Sequence, residues 1–422
     1  MTKRRLFILL FIGSFAANIS GQIGINGWCE RNREFNRVRL YLAESKSDEA
    51  NSVLKVIEQK QSQNRSDTAL CIYNVFKSMY YYQKGNYEQA VNYLLNAKTI
   101  WEDKFNVLDI KYLELIKMLS DCEKEMGNTD AAINYLQETV ERKDVLFEEF
   151  EIYGRLLGEL AELYIDKKQF SGVEDLLIKA DAIMNEYYKK GSYKSYQYRV
   201  TLYFLLMETG KYDKSIQIID EIMPVIALMD NELNNMSYSN ALYGKGVNYY
   251  MLEQYDKAEP YFKENIHFCV EKLGKYNKLL ESGYLGLFKL LCKTNKEEEI
   301  DALLPVIQDY YKQNPNDSTY YHTIGNGADN LMDVENYNKA IELYKLQLPI
   351  AERIAGKNSD IYYVACNQLS VSLHNKGKLL LDRKEYKEAV DMLTESLELQ
   401  QKLGITYPQT SLYLEEARGH LK

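Results

Sequence analysis

The sequence has few helix breakers and no pattern that marks a reaction. Six prolines in 422 residues leave room for long helices, since proline is the strongest helix breaker. There are two tryptophans, Trp28 and Trp101, and four histidines: His267, His322, His374 and His420. No histidine falls in an H-E-x-x-H pattern, and no G-x-S-x-G elbow is present, which sets aside the commonest zinc-hydrolase and serine-hydrolase arrangements. Gly325-Asn326-Gly327 is the nearest approach to a phosphate-binding loop, but it lies inside an expected helix pair and lacks the preceding strand. The six cysteines are Cys29, Cys71, Cys122, Cys269, Cys292 and Cys366. None pairs as C-x-x-C or has zinc-ligand spacing, and isolated cysteines on helical stretches read as small core residues. No catalytic, cofactor-binding or metal-ligating residue is expected. With a net charge of -9 the chain repels phosphate backbones, so nucleic acid is not an expected partner.

The N-terminus departs from this acidic balance. Lys3, Arg4 and Arg5 precede an apolar run from Leu6 to Phe15, followed by small and polar residues up to Gly21-Gln22. A basic start, a short apolar run and small residues form a secretory signal. The run is too short for an ordinary membrane-spanning helix, the uncleaved anchor being the competing reading. Residues 1–21 are therefore read as a signal peptide cleaved before Gln22, leaving a mature chain with no stable membrane insertion. No cysteine ends the apolar run, which argues against a lipid anchor. The expected location is the bacterial periplasm, with secretion as the alternative.

Oxidising conditions there raise the question of disulfides. Cys269 and Cys292 fall on consecutive antiparallel helices at heights roughly 15 Å apart by helical rise, too far for a bond. Cys29 and Cys71 lie one repeat period apart. Neighbouring helix axes stand about 8–10 Å apart, whereas bonded Cα atoms need to be within about 7 Å. No disulfide framework is expected, and this is the one pair left open.

What is abundant is a repeated phrase. Gly85-Asn86-Tyr87-Glu88-Gln89-Ala90 recurs as Gly210-Lys211-Tyr212-Asp213-Lys214-Ser215, Glu253-Gln254-Tyr255-Asp256-Lys257-Ala258, Glu335-Asn336-Tyr337-Asn338-Lys339-Ala340 and Lys384-Glu385-Tyr386-Lys387-Glu388-Ala389. Weaker copies end at Ala132, Val173 and Ile300, and a first copy ends at Ala50. These nine closing positions recur every 40–43 residues until a final gap of 49. Each copy reads as a helix stop, an aromatic under the turn, an acid favouring the next helix start, and an apolar stripe such as Tyr87, Ala90, Val91, Leu94 and Leu95. A second small residue lies twelve positions earlier in several copies, as at Ser78, Ser120, Ala161, Gly246, Ala328 and Gly377. Two small positions facing each other make a tight antiparallel hairpin. The final gap of 49 predicts a longer helix from about Ser359 to Arg383.

This pattern resembles the tetratricopeptide repeat family, whose G-x-Y-x-x-A phrase opens the second helix of each pair. The first-helix pattern of that family also appears in Leu160-Ala161-Glu162-Leu163-Tyr164 and Gly246-Val247-Asn248-Tyr249. The family repeat is usually 34 residues, so the longer period is similar to that of long-helix members such as kinesin light chains. The resemblance implies an all-α solenoid of antiparallel helix pairs: about nine over residues 22–408, then a capping helix over 409–422 with Glu415, Glu416, Arg418 and Lys422 outward. It also implies function. First helices of the family line the concave face at fixed offsets, here Lys117, Asp121, Arg155, Glu162, Asn240, Tyr243, Tyr250, Lys289 and His322. Of these, Arg155, Asn240, Tyr243, Tyr250 and Lys289 combine charge, amide and aromatic area suited to a protein or peptide partner. The Lys and Asn clamp by which chaperone-binding members hold a carboxylate is missing: its positions carry Phe35, Arg39, Val75, Met79, Tyr243 and Val247. The expected function is a non-catalytic interaction scaffold. The alternatives are a sensor component of a signalling system or a carbohydrate-binding helical protein of glycan uptake. The missing lipid-anchor cysteine and the scarcity of tryptophan count against the last.

Overall fold

Each copy of the repeated phrase is a helix–turn–helix junction, and the same backbone device closes all nine. Five residues before the closing small residue the chain takes a left-handed conformation: at Ser45, Gly85, Gly127, Lys168, Gly210, Glu253, Asn295, Glu335 and Lys384, with φ between 55° and 80°. The next residue then donates its backbone N–H to the carbonyl five positions back, as in Asn86 to Tyr81 (2.9 Å), Lys211 to Leu206 (2.7 Å) and Gln254 to Tyr249 (2.9 Å). This is the Schellman closure of a helix end. Glycine meets the requirement at only three of the nine turns. The other six hold L-residues in a region that costs them roughly 1–2 kcal/mol.

The structure is a computed structural model, and it describes residues 32–63, 66–105, 110–141, 151–405 and 407–421. The expected signal peptide, Cys29 and Lys422 lie outside the described residues. Nineteen α-helices are described, with no strand among the described residues. They run α1 (Arg33–Ala43), α2 (Ser47–Gln63), α3 (Asp67–Lys84), α4 (Tyr87–Lys104), α5 (Ile110–Glu125), α6 (Thr129–Val140), α7 (Glu151–Asp166) and α8 (Val173–Tyr187). After a short 3-10 turn come α9 (Gln197–Glu208), α10 (Tyr212–Ile226), α11 (Glu232–Met251), α12 (Tyr255–Lys272), α13 (Leu279–Lys293) and α14 (Glu297–Gln313). The chain ends with α15 (Asp317–Asp333), α16 (Tyr337–Ala355), α17 (Asp360–Asp382), α18 (Tyr386–Leu403) and α19 (Pro408–Gly419). This is the all-α, tetratricopeptide-like solenoid class, and the long helix expected near residues 359–383 is α17.

The chain forms two compact units, Met1–Leu205 and Leu206–Lys422. In the first, α1 pairs with α2, α3 with α4, α5 with α6 and α7 with α8; in the second, α11 pairs with α12, α13 with α14, α15 with α16 and α17 with α18. The small closing residues are where the hairpins are tightest: Ala50, Ala90, Ala132, Val173, Ser215, Ala258, Ile300, Ala340 and Ala389 are all 0% exposed. Ser215 and Ile300, which with Val173 are the three that depart from alanine, are accommodated differently. Ser215 accepts a hydrogen bond from the Asn248 side-chain amide on α11 (2.9 Å), while Ile300 buries its side chain in the apolar seam of the second unit.

Three details depart from the sequence reading. Leu95 is exposed, while Ala90, Val91, Leu94, Ala97 and Trp101 define the buried stripe of α4. At 100° per residue Leu95 stands at the edge of that stripe. Adjacent residues of a helix point about 100° apart, which by itself would place one ring of each tyrosine pair in the core, yet Tyr310, Tyr311, Tyr320 and Tyr321 are all buried. Tyr311 stacks on Tyr320 with centroids 4.7 Å apart. An inner helix of a stack is covered by its hairpin partner and by a neighbouring pair, so its buried arc exceeds the 100° between successive residues. Finally, four of the six prolines sit within second helices rather than ending them: Pro224, Pro260, Pro305 and Pro349. All four face solvent, where the carbonyl that proline leaves without a helical partner can turn to water.

The five described cysteines, Cys71, Cys122, Cys269, Cys292 and Cys366, are buried thiols with no disulfide partner. Ser239 lies 3.0 Å from the Cys269 sulfur. Beyond α18, α19 buries Thr410, Leu414 and Ala417 and turns Glu415, Glu416 and Arg418 outward. Gln400 fastens it, donating to the Thr410 hydroxyl (3.0 Å) and accepting from the Tyr407 backbone N–H (3.1 Å). No helix among the described residues is long and apolar enough to cross a membrane.

Candidate functional site

In the second unit the first helices of successive pairs, α11, α13 and α15, pack directly against one another. Their outward stripe carries most of the residues chosen from sequence. Asn240, Tyr243, Val247 and Tyr250 recur at helical spacing along α11 and are all half-buried. Phe262 of α12 is what sets this helix in place. Its ring is 1% exposed and lies against two glycines, Gly246 of α11 and Gly286 of α13. Any Cβ at either position would fall within 2.7 Å of a ring carbon. Tyr243 rests on the same ring, with centroids 5.9 Å apart.

Tyr250 and Lys289 meet across α11 and α13, with the ammonium 5.0 Å from the ring centroid, a cation–π distance. Tyr255 is a second neighbour of Tyr250, its ring tilted and the centroids 5.4 Å apart. Burial, and secondarily Tyr255, pushes the Tyr250 hydroxyl up to about 12, so it stays a neutral donor at physiological pH. Lys289 remains exposed. Asn330 of α15 donates to the Lys289 backbone carbonyl (3.3 Å), and Lys293 pairs with Asp333 (3.1 Å). The structure thus joins Tyr250 to Lys289 and sets Asn240 and Tyr243 on the same stripe of α11.

Arg155 belongs to the first unit, on α7. It is half-buried and lies 3.9 Å from Glu151, which also accepts a hydrogen bond from the Tyr188 hydroxyl (2.6 Å). One turn along, Lys117 of α5 bridges Asp121 (2.8 Å) and Glu159 of α7 (2.9 Å). Burial, and then repulsion from Glu159, raises the Asp121 carboxyl to about 7 against the pull of Lys117. Glu159 moves the other way: burial opposes its charge, but Lys117 and a hydrogen bond from Asp121 outweigh it and hold the group below the usual range. Lys117 and Asp121, two of the offset residues, thus form a structural ion cluster between first helices. Glu162 is exposed.

The remaining offset residue, His322, is exposed on α15 and borders a cleft of about 300 Å³ between α15 and α17. Asp329, Gln347 and Gln368 also line it. Beyond its hairpin partner α18, α17 packs on α16 rather than on α15. It meets α15 through polar contacts, the Tyr321 hydroxyl donating to the Ile361 carbonyl (3.3 Å) and Gln368 to Asp329 (3.1 Å). Sequence reasoning missed this feature because its residues come from three helices. One local signal was present. The Gly325-Asn326-Gly327 run is a packing device: a Cβ on Gly325 would fall 2.2 Å from the Gln347 amide nitrogen, and one on Gly327 would fall 2.4 Å from the Phe288 ring. No group of acidic, histidine or cysteine residues suited to a metal occurs among the described residues.

Comparison with known proteins supports the fold. Family models described as tetratricopeptide repeat match residues 68–144 and 369–404. No curated protein matches the chain. The apo form of RapI is 12% identical and aligns over 88% of this chain and 98% of its own, with a TM-score of 0.51. A signal transduction ATPase with numerous domains and a tetratricopeptide repeat sensor, from Pyrococcus horikoshii, is 13% identical over 84% of this chain and 52% of its own, TM-score 0.49. Aspartyl phosphate phosphatase F from Bacillus subtilis is 15% identical over 92% of this chain and 98% of its own, TM-score 0.47. At these identities the likeness is one of fold.

Proposed function

We propose that the chain is a non-catalytic scaffold that docks a segment of another polypeptide on the first-helix face of its second unit, through Asn240, Tyr243, Tyr250 and Lys289. The observation that carries this reading is the Tyr250–Lys289 pair. It presents an aromatic face and an exposed cation held by adjacent helices, with Asn240 supplying an amide further along the same stripe. Helical repeats present such stripes as extended surfaces, and aromatic anchors in rigid settings carry most interface energy. An acidic residue in the partner would meet Lys289. Arg155 is a second contact point, belonging to the first unit, with Glu151 and Tyr188 around it. The proposal includes export to the bacterial periplasm, or secretion, which the N-terminal sequence supports: a basic start and a short apolar run.

The test begins with a partner captured from the native periplasm. Tyr243→Ala, Tyr250→Ala, Lys289→Ala and Arg155→Ala are compared with Lys257→Ala, an exposed residue on α12. Loss of a hot-spot contact lowers affinity on the order of tenfold or more. Unchanged affinity in all four folded variants would refute this site.

A further inference from the structure

The terminal helix α19 is held by a line of hydrogen bonds that runs in one direction and ends on a histidine. The helix buries little, Thr410, Leu414 and Ala417, and lies over an apolar end formed by Leu380 and Leu381 of α17 and Ala389 of α18. The line starts at the Tyr407 backbone N–H, which can only donate. It donates to Oε1 of Gln400 on α18 (3.1 Å), and this fixes which end of the amide is oxygen. The amide nitrogen therefore donates to the Ser396 hydroxyl (3.0 Å) and to the Thr410 hydroxyl (3.0 Å). A hydroxyl has one proton to give. Thr410 Oγ1, already accepting from Gln400, gives its proton to Nδ1 of His374 on α17, 2.8 Å away. Nδ1 is thus the acceptor, and the imidazole carries its proton on Nε2, in the neutral form.

Protonation of His374 turns Nδ1 into a donor. Thr410 Oγ1 then receives two N–H groups, and its own proton is left without an acceptor at a residue 0% exposed. The new charge also finds no counter-charge. Lys378, one turn further along α17, is the charged group that acts on the ring, and it repels. α18 and α19 reach the imidazole through neutral groups: Gln400 by way of Thr410, Thr410 itself, and the Tyr413 ring with centroids 5.6 Å apart. Glu415, Glu416 and Arg418 of α19 are exposed. Among the described residues no carboxylate of α15, α16, α18 or α19 acts on the ring. Burial first, and then Lys378, lower His374 from its ordinary 6.5. We propose that α19 is an acid-released lid, docked while His374 is neutral and lifted from the end of α17 and α18 when His374 takes a proton. With the docked value below 6.5, the released helix binds more protons than the docked one, so acid favours release. The docking contribution is whole above about pH 6.5 and is lost as pH falls through the lowered value. Release uncovers Leu380, Leu381 and Ala389. A terminal helix with so few buried side chains can open without the rest of the stack.

Hydrogen exchange of the full chain, read by mass spectrometry and corrected for the intrinsic effect of pH, tests this. Between about pH 7.5 and about pH 5 the peptides of α19 should lose protection severalfold, while those of α15 in the same unit keep theirs. The His374 imidazole, followed by NMR, should titrate below 6.5 in step with that loss. His374→Gln offers the Thr410 hydroxyl an amide oxygen at every pH, so the lid should stay docked and its acid response should vanish. Lys378→Gln, at an exposed position, should shrink the response by relieving the repulsion. His420, the other histidine at this end, is exposed and stacks on Tyr386 with centroids 4.4 Å apart; His420→Gln should leave the response unchanged. Protection of α19 that does not vary with pH would overturn the proposal. So would an acid loss that persists in His374→Gln or disappears in His420→Gln. If His374→Gln already loosens the helix at neutral pH, Lys378→Gln decides: a smaller acid loss supports the lid, and an undiminished one refutes it.

Discussion

Replacing Gly246 by alanine probes the packing that sets α11 in place. An added methyl carbon would stand 2.7 and 2.8 Å from two carbons of the Phe262 ring, inside the closest approach of carbon atoms. The ring cannot retreat, because Gly286 on α13 already faces it, where a Cβ would lie 2.5 Å away, and because the side chain is 1% exposed. Overpacking of this kind costs typically 1–3 kcal/mol. Against it runs the helix propensity of alanine over glycine, worth about 1 kcal/mol. The two terms are separable through the partner ring. In a Phe262→Leu background the clash is relieved, so Gly246→Ala should change sign and stabilise by up to about 1 kcal/mol. The double-mutant coupling should therefore be about 1–3 kcal/mol. Urea denaturation followed by circular dichroism measures all four proteins. A Gly246→Ala variant that is stabilised in the wild-type background, or additive with Phe262→Leu, would refute the reasoning and with it the account of how Tyr243 is positioned.

Other outcomes follow from the same structure. Gly210→Ala, where a Cβ would meet nothing within 4 Å but φ is +74°, should cost about 1 kcal/mol through backbone conformation alone; Glu253→Gly at the equivalent turn, φ 58°, should cost little or stabilise, as paired melting curves would show. Ala258→Leu should overpack its hairpin by about 1–3 kcal/mol, while Lys257→Ala should leave the melting temperature unchanged; equal shifts would contradict the hairpin register. Asp121 has a folded-state carboxyl raised from 3.8 to about 7, so the native state holds a proton the unfolded chain has released. That contribution is complete below about pH 4 and is lost as pH rises to about 7, and Asp121→Asn should flatten the fall in unfolding free energy over this window, measured by denaturation at pH 5 and pH 8. Gln400→Leu should leave the Thr410 hydroxyl and the Tyr407 N–H without their shared partner and cost about 1–3 kcal/mol, seen first as faster hydrogen exchange in α19.

The repeat was legible in the sequence because its signals are local. A turn residue, an aromatic and a small residue at fixed spacing specify a hairpin within about twenty-five residues, and nine copies at one period make a stack of pairs. The closing positions Ala50 to Ala389 could be named one by one, and the structure buries every one completely. The length of α17 followed from the last gap in the same way. Asn240, Tyr243 and Tyr250 came instead from the concave-face offsets that the family resemblance implies, and they share one stripe of α11.

Tertiary structure decided what depends on neighbours distant in sequence. Six non-glycine turn residues are held left-handed because the hairpin on either side fixes the backbone between them, a demand that Glu253 or Lys384 does not advertise. Tyr311 and Tyr320 are both buried because two helix pairs close on them, not because of their own period. Lys289 faces Tyr250 only through the packing of α13 on α11. The cleft at Gln347 goes furthest in this respect: residues 325, 347 and 368 converge on it from three helices, a meeting that no local period encodes.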